Sequence, residues 1–308
     1  SGICFSILSR ASTSSLLNFL VISIINPLII WPLNLRNQID INCTKGKDIS
    51  RVVVAGGSLT EIIYELGYFR NLVAVDITSK YPLEAKNLPS IGYVRSISVE
   101  GILSMNPSIV IGEHDMGPVS VVDKIRSLGI DIRVIPEIQT VYGIKQKILC
   151  IESIFKDHMS NENVYLNQLE EEIKELELER INSLENPRNI LLILSILGSS
   201  PIIAGQNTSG NSFIKLMNFE NAINSFYGWK PVGIEHLIKI NPDVIILTKR
   251  GSSNYKNINE LKNSPVFRHT DAAKKNRIYA FDGISMLGFS PRTIDLAKKS
   301  IRRILDNE

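Results

Sequence analysis

The chain has 308 residues, of which 44% are hydrophobic and 21% charged, and its formal net charge is +3 at pH 7. That length exceeds one average domain, and the apolar fraction supplies a real core, so two lobes are expected. Basic and acidic residues are interspersed, and the small net charge gives no argument for nucleic acid or an anionic membrane surface as partner. Near the N-terminus, Arg10 and a Ser/Thr stretch precede a largely apolar run from Leu16 to Leu33. A basic residue ahead of such a run is the pattern of an export signal, and Pro27, Pro32 and the asparagines inside it count against a retained membrane anchor. Residues 1–44 are therefore read as a targeting segment, with the mature chain starting near Lys45. Cys43 follows Asn42 where a lipidated cysteine needs a small residue, so it is a poor anchor site. Cys4, Cys43 and Cys150 form no CxxC pair, and their spacing gives neither a zinc site nor a disulfide framework.

Arg51 to Ala55 is a β-branched run ended by Gly56-Gly57, which reads as a buried strand with a tight turn into a helix. Ser58 stands three residues before Glu61, a capping-box pattern opening a helix over Leu59–Leu66 with Gly67 as its stop. Leu72–Val75 is a second strand. A turn-rich segment, Asp76 to Arg95, contains TSKYP and IGYVR. Then come a helix over Val99–Met105, a strand over Ser108–Gly112, a helix over Val121–Leu128 and a strand over Asp131–Ile135. Strand and helix alternating in this way predict a parallel sheet covered on both faces. Helices over Thr140–Phe155 and Asn161–Leu184 follow, the second with the charged pattern of an exposed connecting helix, ended by Asn186-Pro187. A second series runs through strands at Ile190–Leu194 and Ile202–Ala204 and a helix after Gly210. It continues with a helix at Ile234–Ile240, strands at Asp243–Leu247 and Arg277–Phe281, and a helix at Pro291–Leu305. The reading is α/β: two Rossmann-like lobes, 45–158 and 187–308, bridged by a single long helix, 159–186, with a ligand cleft between them. An internal echo supports two lobes of one build: VEGILSMNPSIVIG (99–112) matches IEHLIKINPDVIIL (234–247) in residue type at most positions.

Metal and nucleotide signatures are missing from the sequence. His114, His158, His236 and His269 have no ligand spacing, and only His114 sits beyond a strand end where a parallel sheet presents ligands. No GxSxG, Walker loop or GxGxxG occurs, which weakens a Rossmann-like oxidoreductase reading.

The segments RVVVAGGSLTEIIYELG, VAVDITSKYP, LPSIGYVRSISVEGIL and NPSIVI, followed in order by IIAGQNTSGNSFIKL, GWKPVGIEHL, DVIILTKRG and MLGFSPRT, resemble the periplasmic haem-binding proteins of bacterial haem ABC importers. The resemblance covers about residues 51 to 305. It implies a carrier rather than an enzyme, working in the periplasm as a monomer, with haem b as the transported ligand and an ABC permease dimer as partner. It also implies that Tyr93, in Gly92-Tyr93-Val94-Arg95, binds the haem iron. Phenolate suits Fe(III), and both the iron and a nearby cation favour the ionised form of a group whose ordinary pKa is about 10. Arg95 is the candidate cation, for the phenolate or a propionate. Tyr81 is a rival phenolate; Asn207, Thr208, Ser209, Met286 and Arg292 are further cleft candidates. Glu100 and Glu235, at matching places in the echo, are implied as the two contacts to the permease. Cobalamin or a ferric siderophore on the same fold remains the alternative ligand.

Overall fold

The computed structural model describes residues 43–156, 164–197, 200–252 and 255–306. The expected targeting segment up to residue 42, the start of the expected connecting helix and His158 lie outside the described residues.

In the first lobe, strands β1 (Val52–Ala55), β2 (Leu72–Val75), β3 (Ile109–Glu113) and β4 (Asp131–Ile135) form a four-stranded sheet in the order β2-β1-β3-β4. All three pairings are parallel. Strand side chains alternate between faces, and here both faces are covered. Val52, Val54, Ile109 and Ile111 pack on one face with helices α1 (Gly57–Glu65) and α4 (Val141–Phe155). Val53, Ala55, Ala74 and Val110 pack on the other with α2 (Val99–Leu103) and α3 (Val119–Ser127). Two-sided burial is why these strands read as unbroken apolar runs.

Helix α5 (Val164–Glu185) connects to the second lobe, burying Leu169 and Leu176. There, β5 (Asn189–Leu197), β6 (Ser200–Ala204), β7 (Glu220–Asn221), β8 (Trp229–Pro231), β9 (Val244–Thr248) and β10 (Ile278–Phe281) make a six-stranded sheet. Its order is β10-β9-β5-β6-β8, with β7 beside β5. Strands β5, β9 and β10 run parallel, whereas β6 is antiparallel to both β5 and β8. The short hairpin between β5 and β6 leaves no room for a crossover helix, so this half of the sheet cannot be parallel. Helices α6 (Ser209–Leu216), α7 (Ile234–Ile240), α8 (Ile258–Asn263), α9 (Asp271–Lys274), α10 (Gly283–Leu287) and α11 (Pro291–Leu305) complete the lobe. One apolar cluster runs through both lobes, from Ile62 and Ile148 to Phe213, Phe289 and Ile301.

The internal echo is a structural repeat. Ile102 and Leu237 are both fully buried on their helices, and Asn106 and Asn241 both take a left-handed turn, at φ 47° and 43°, before the proline. Asparagine tolerates that conformation at little cost, which is why Asn-Pro can stop both helices.

Two expectations are corrected. Cys43 and Cys150 are joined in a disulfide spanning 107 residues. Spacing could not show it, because the pairing exists only once α4 folds back beside the start of the lobe. There Arg133 Nη1 also donates to Thr44 Oγ1 (2.8 Å) and the Gly46 N–H donates to the Ile154 carbonyl (3.0 Å). Nor do Ser58 and Glu61 form a capping box: α1 starts after Gly56 with no side-chain cap. The Ser58 hydroxyl donates instead to Glu113 (2.7 Å), and Glu61 pairs with Arg292 (2.6 Å), so tertiary partners took both groups.

Candidate functional site

In a parallel sheet the loops beyond the carboxyl ends of the strands form the binding crevice. In the first lobe these loops and the first residue of α3 carry exposed apolar groups: Ile77, Tyr81, Tyr93, Val119 and Ile138. Asp76 anchors the longest loop. Its buried carboxylate accepts from the N–H of Gly56 (3.1 Å) and Thr78 (3.0 Å) and from the hydroxyls of Thr78 (2.7 Å) and Ser79 (2.8 Å). Gly56, at φ 145°, has no room for a side chain, since a Cβ would lie 2.4 Å from Glu113 Cγ.

Tyr93 is presented by a turn in which every third residue is buried. Ile91, Val94 and Ile97 are buried, while Tyr93 is 40% exposed and Arg95 also faces solvent. The Ser96 N–H donates to the Tyr93 carbonyl (2.7 Å), and the turn is tied to its neighbour by Gly117 N–H to Val94 O (3.0 Å) and Ile97 N–H to Gly117 O (2.9 Å). Arg95 Nε donates to Asp115 Oδ2 at 2.6 Å. Burial works against the Arg95 charge, but the Asp115 hydrogen bond and charge, with smaller help from Tyr93 and Glu113, push its pKa up. Tyr93 and Arg95 are thus neighbours, with Arg95 held from behind by Asp115.

Tyr81 and Arg292, from different lobes, are brought together: the guanidinium lies 3.8 Å from the Tyr81 ring centroid. Glu61 fixes that guanidinium, accepting from Arg292 Nε (2.6 Å) and from the Arg292 N–H (3.1 Å). Among the other candidates, Asn207 is exposed at φ 55° and Ser209 is half-buried. Thr208 is buried, and its hydroxyl caps α6 by accepting from Asn211 N–H (3.0 Å) while donating to Gly205 O (2.8 Å). Met286 is fully buried in the shared core and does not reach the cleft surface. His114, His236 and His269 are all exposed. Among the described residues no three His, Cys, Asp or Glu side chains gather as a metal site. Glu100 and Glu235 are exposed in the first turns of α2 and α7, one on each lobe.

Reasoning from sequence missed a polar cluster beside the cleft. Lys147, buried on α4, pairs with Glu137 (2.5 Å) and donates to Ser58 Oγ (3.0 Å). Burial pushes Glu113 up to about 7, against the opposing pull of Lys147 and the Ser58 hydrogen bond. Only the periodicity of α4, which places Lys147 between Ile144 and Ile148 on the apolar face, could have hinted at it.

The periplasmic binding protein family model matches residues 52–284. The chain is similar to an apo structure of the periplasmic haem-binding protein RhuT from Roseiflexus sp. RS-1, with 28% identity and a TM-score of 0.74 over 84% of this chain and 99% of that one. It is 25% identical to the vitamin B12-binding protein of Vibrio parahaemolyticus over 80% of this chain and 86% of that protein. With an uncharacterised ABC transporter substrate-binding lipoprotein, YvrC of Bacillus subtilis, it shares 21% identity over 86% of this chain and 83% of the relative. No described helix is long and apolar enough to cross a membrane. The two α/β lobes, the bridging helix and a family match over most of the sequence lead to one conclusion: the chain belongs to the periplasmic binding protein family, a transport rather than an enzyme family, as an ABC importer's substrate-binding protein.

Proposed function

We propose that the protein is exported, binds ferric haem in the cleft through Tyr93, and delivers it to an ABC permease dimer. The observation that carries this reading is the Tyr93 turn: a solvent-facing phenol on a hydrogen-bonded turn, with a guanidinium beside it, exposed Ile77 and Ile138 on neighbouring loops and exposed Val119 at the start of α3. A porphyrin needs apolar contact for its faces, an anionic ligand for Fe(III) and cations for its propionates. Arg95 serves the phenolate or a propionate. Tyr81, stacked under Arg292, serves as a wall, and Asn207 and Ser209 are the polar groups left on the second lobe. Glu100 and Glu235 meet the permease, one per lobe; each exposed ion pair is worth only about 0–1 kcal/mol, but two separated contacts fix orientation. The protein acts as a monomer, and no bond of the ligand is made or broken.

The test is an absorption titration with ferric haem of the parent chain, Tyr93→Ala and Tyr81→Phe. A saturable Soret band with tyrosinate charge-transfer features, lost in Tyr93→Ala and kept in Tyr81→Phe, is expected. The similarity to a vitamin B12-binding protein supports a second reading, a corrinoid. Saturable binding of cyanocobalamin, with none of ferric haem, would replace the first reading by the second.

A further inference from the structure

The lobes meet at a turn, Gly288 to Arg292, that leads from α10 into the last helix, and the first lobe grips it with opposite charges. Lys147, its side chain 1% exposed, points Nζ at the carbonyl oxygens of Gly288 and Phe289, each 3.3 Å away. Glu61, also 1% exposed, accepts from the N–H and the Nε of Arg292. A cation meets carbonyls, and a carboxylate meets N–H groups. Between the two grips Phe289 is fully buried at φ 46°, a left-handed conformation that a residue other than glycine keeps only where its surroundings over-determine it.

The grip is also connected to the cleft. Glu137, which holds Lys147, immediately precedes Ile138 on the cleft rim; Ser58, which accepts from Lys147, donates to Glu113 at the end of β3. The apolar cluster shared by the lobes does not select one spacing by itself, because dispersion contacts tolerate small sliding. Buried charged hydrogen bonds do not, since breaking one strands an unpaired charge away from water. From this geometry we infer that Lys147 and Glu61 are positioning residues that clasp the Gly288–Arg292 turn, set the separation of the lobes, and so govern how firmly the cleft retains its ligand.

The test uses the full chain with Cys4→Ser and spin labels at two exposed positions, Lys124→Cys on the first lobe and Lys275→Cys on the second. Inter-lobe distances are compared in the parent, in Lys147→Met/Glu137→Gln, which removes the cation without stranding its carboxylate, and in Glu61→Gln. Wider or broader distances are expected in both variants at retained secondary structure. Should the double variant fail to fold, Glu61→Gln decides alone, and distances that coincide with the parent overturn the clasp. The second readout, which rests on the proposed function, is transfer of ferric haem to a scavenging apoprotein, expected about tenfold faster in the variants. Wider distances with an unchanged transfer rate would overturn the retention role. Wider distances in a chain that never binds haem would leave the clasp standing and sink the haem reading.

Discussion

Breaking the Cys43–Cys150 bond is the most direct perturbation of the first lobe. Cys43 is partly exposed whereas Cys150 is packed into the core, so Cys43→Ser removes the cross-link with little change in packing. The bond closes a loop of 107 residues that contains nearly the whole lobe. Chain-entropy bookkeeping for a loop of that length gives about 5 kcal/mol of stabilisation, acting mainly by restricting the unfolded chain. With a urea slope of about 3 kcal/mol/M, the unfolding midpoint of Cys43→Ser should fall by up to about 1.7 M. The assay is urea unfolding of parent and variant, each with and without dithiothreitol. The reduced parent should coincide with the variant, and the variant should not respond to the reductant. Midpoints that agree within about 0.3 M in all four samples, with the bond verified in the oxidised parent, would refute the reasoning. Such a bond suits an oxidising compartment, and an exported chain keeps it only if its leader ends before Cys43, ahead of the boundary at residue 44 expected from the sequence.

Three further outcomes are expected. Glu113 is raised from its ordinary value of 4.5 to about 7, so folding favours its neutral form. That contribution is complete below about 4.5 and is lost as pH rises through about 7; the stability of the parent relative to Glu113→Gln should therefore fall by at most about 3 kcal/mol over this window. Urea unfolding at pH 4.5, 6 and 8 measures it, and a pH-independent difference would contradict the assignment. At Gly143 a Cβ would lie 1.7 Å from the Ile138 carbonyl oxygen. Gly143→Ala should thus cost about 3 kcal/mol and lower Tm by about 6–12 °C, while Gly129→Ala, with open space around it, should lose only the smaller cost of its φ of 84°. Charge reversal at both docking positions, Glu100→Lys with Glu235→Lys, should leave haem binding unchanged and lower Tm by only a few degrees, since each puts a cation in the first turn of a helix. It should weaken association with the permease in proteoliposomes by tenfold or more; unaltered transport would remove both residues from the docking surface.

Much of the architecture was legible in the chain because it is set by local, periodic chemistry. The β-branched runs at 52–55 and 109–113 can only be strands buried on both faces, and the two Asn-Pro stops marked the repeat that the left-handed Asn106 and Asn241 complete. Tyr93 was singled out only by the family resemblance; its exposure between the buried Ile91, Val94 and Ile97 came from the structure.

What stayed hidden was every contact made by groups far apart in the chain. Ser58 and Glu61 have the spacing of a helix cap, yet Glu113 and Arg292 claim them, because hydrogen bonds to these partners in the interior outweigh a cap worth about 1 kcal/mol. Lys147 looks like an ordinary helix lysine until Glu137, Ser58 and the Phe289 carbonyl surround it. Met286, in a segment that resembles a ligand-binding loop, turns inward to fill the core. The sequence alone determined the alternating strands and helices of the first lobe, the longer elements of the second and the repeat, but not the short elements at 220–221, 229–231, 258–263, 271–274 and 283–287. Only the tertiary structure decided the disulfide and the polar grip between the lobes. Each of these depends on which distant groups share a low-dielectric interior, and spacing along the chain carries no record of that.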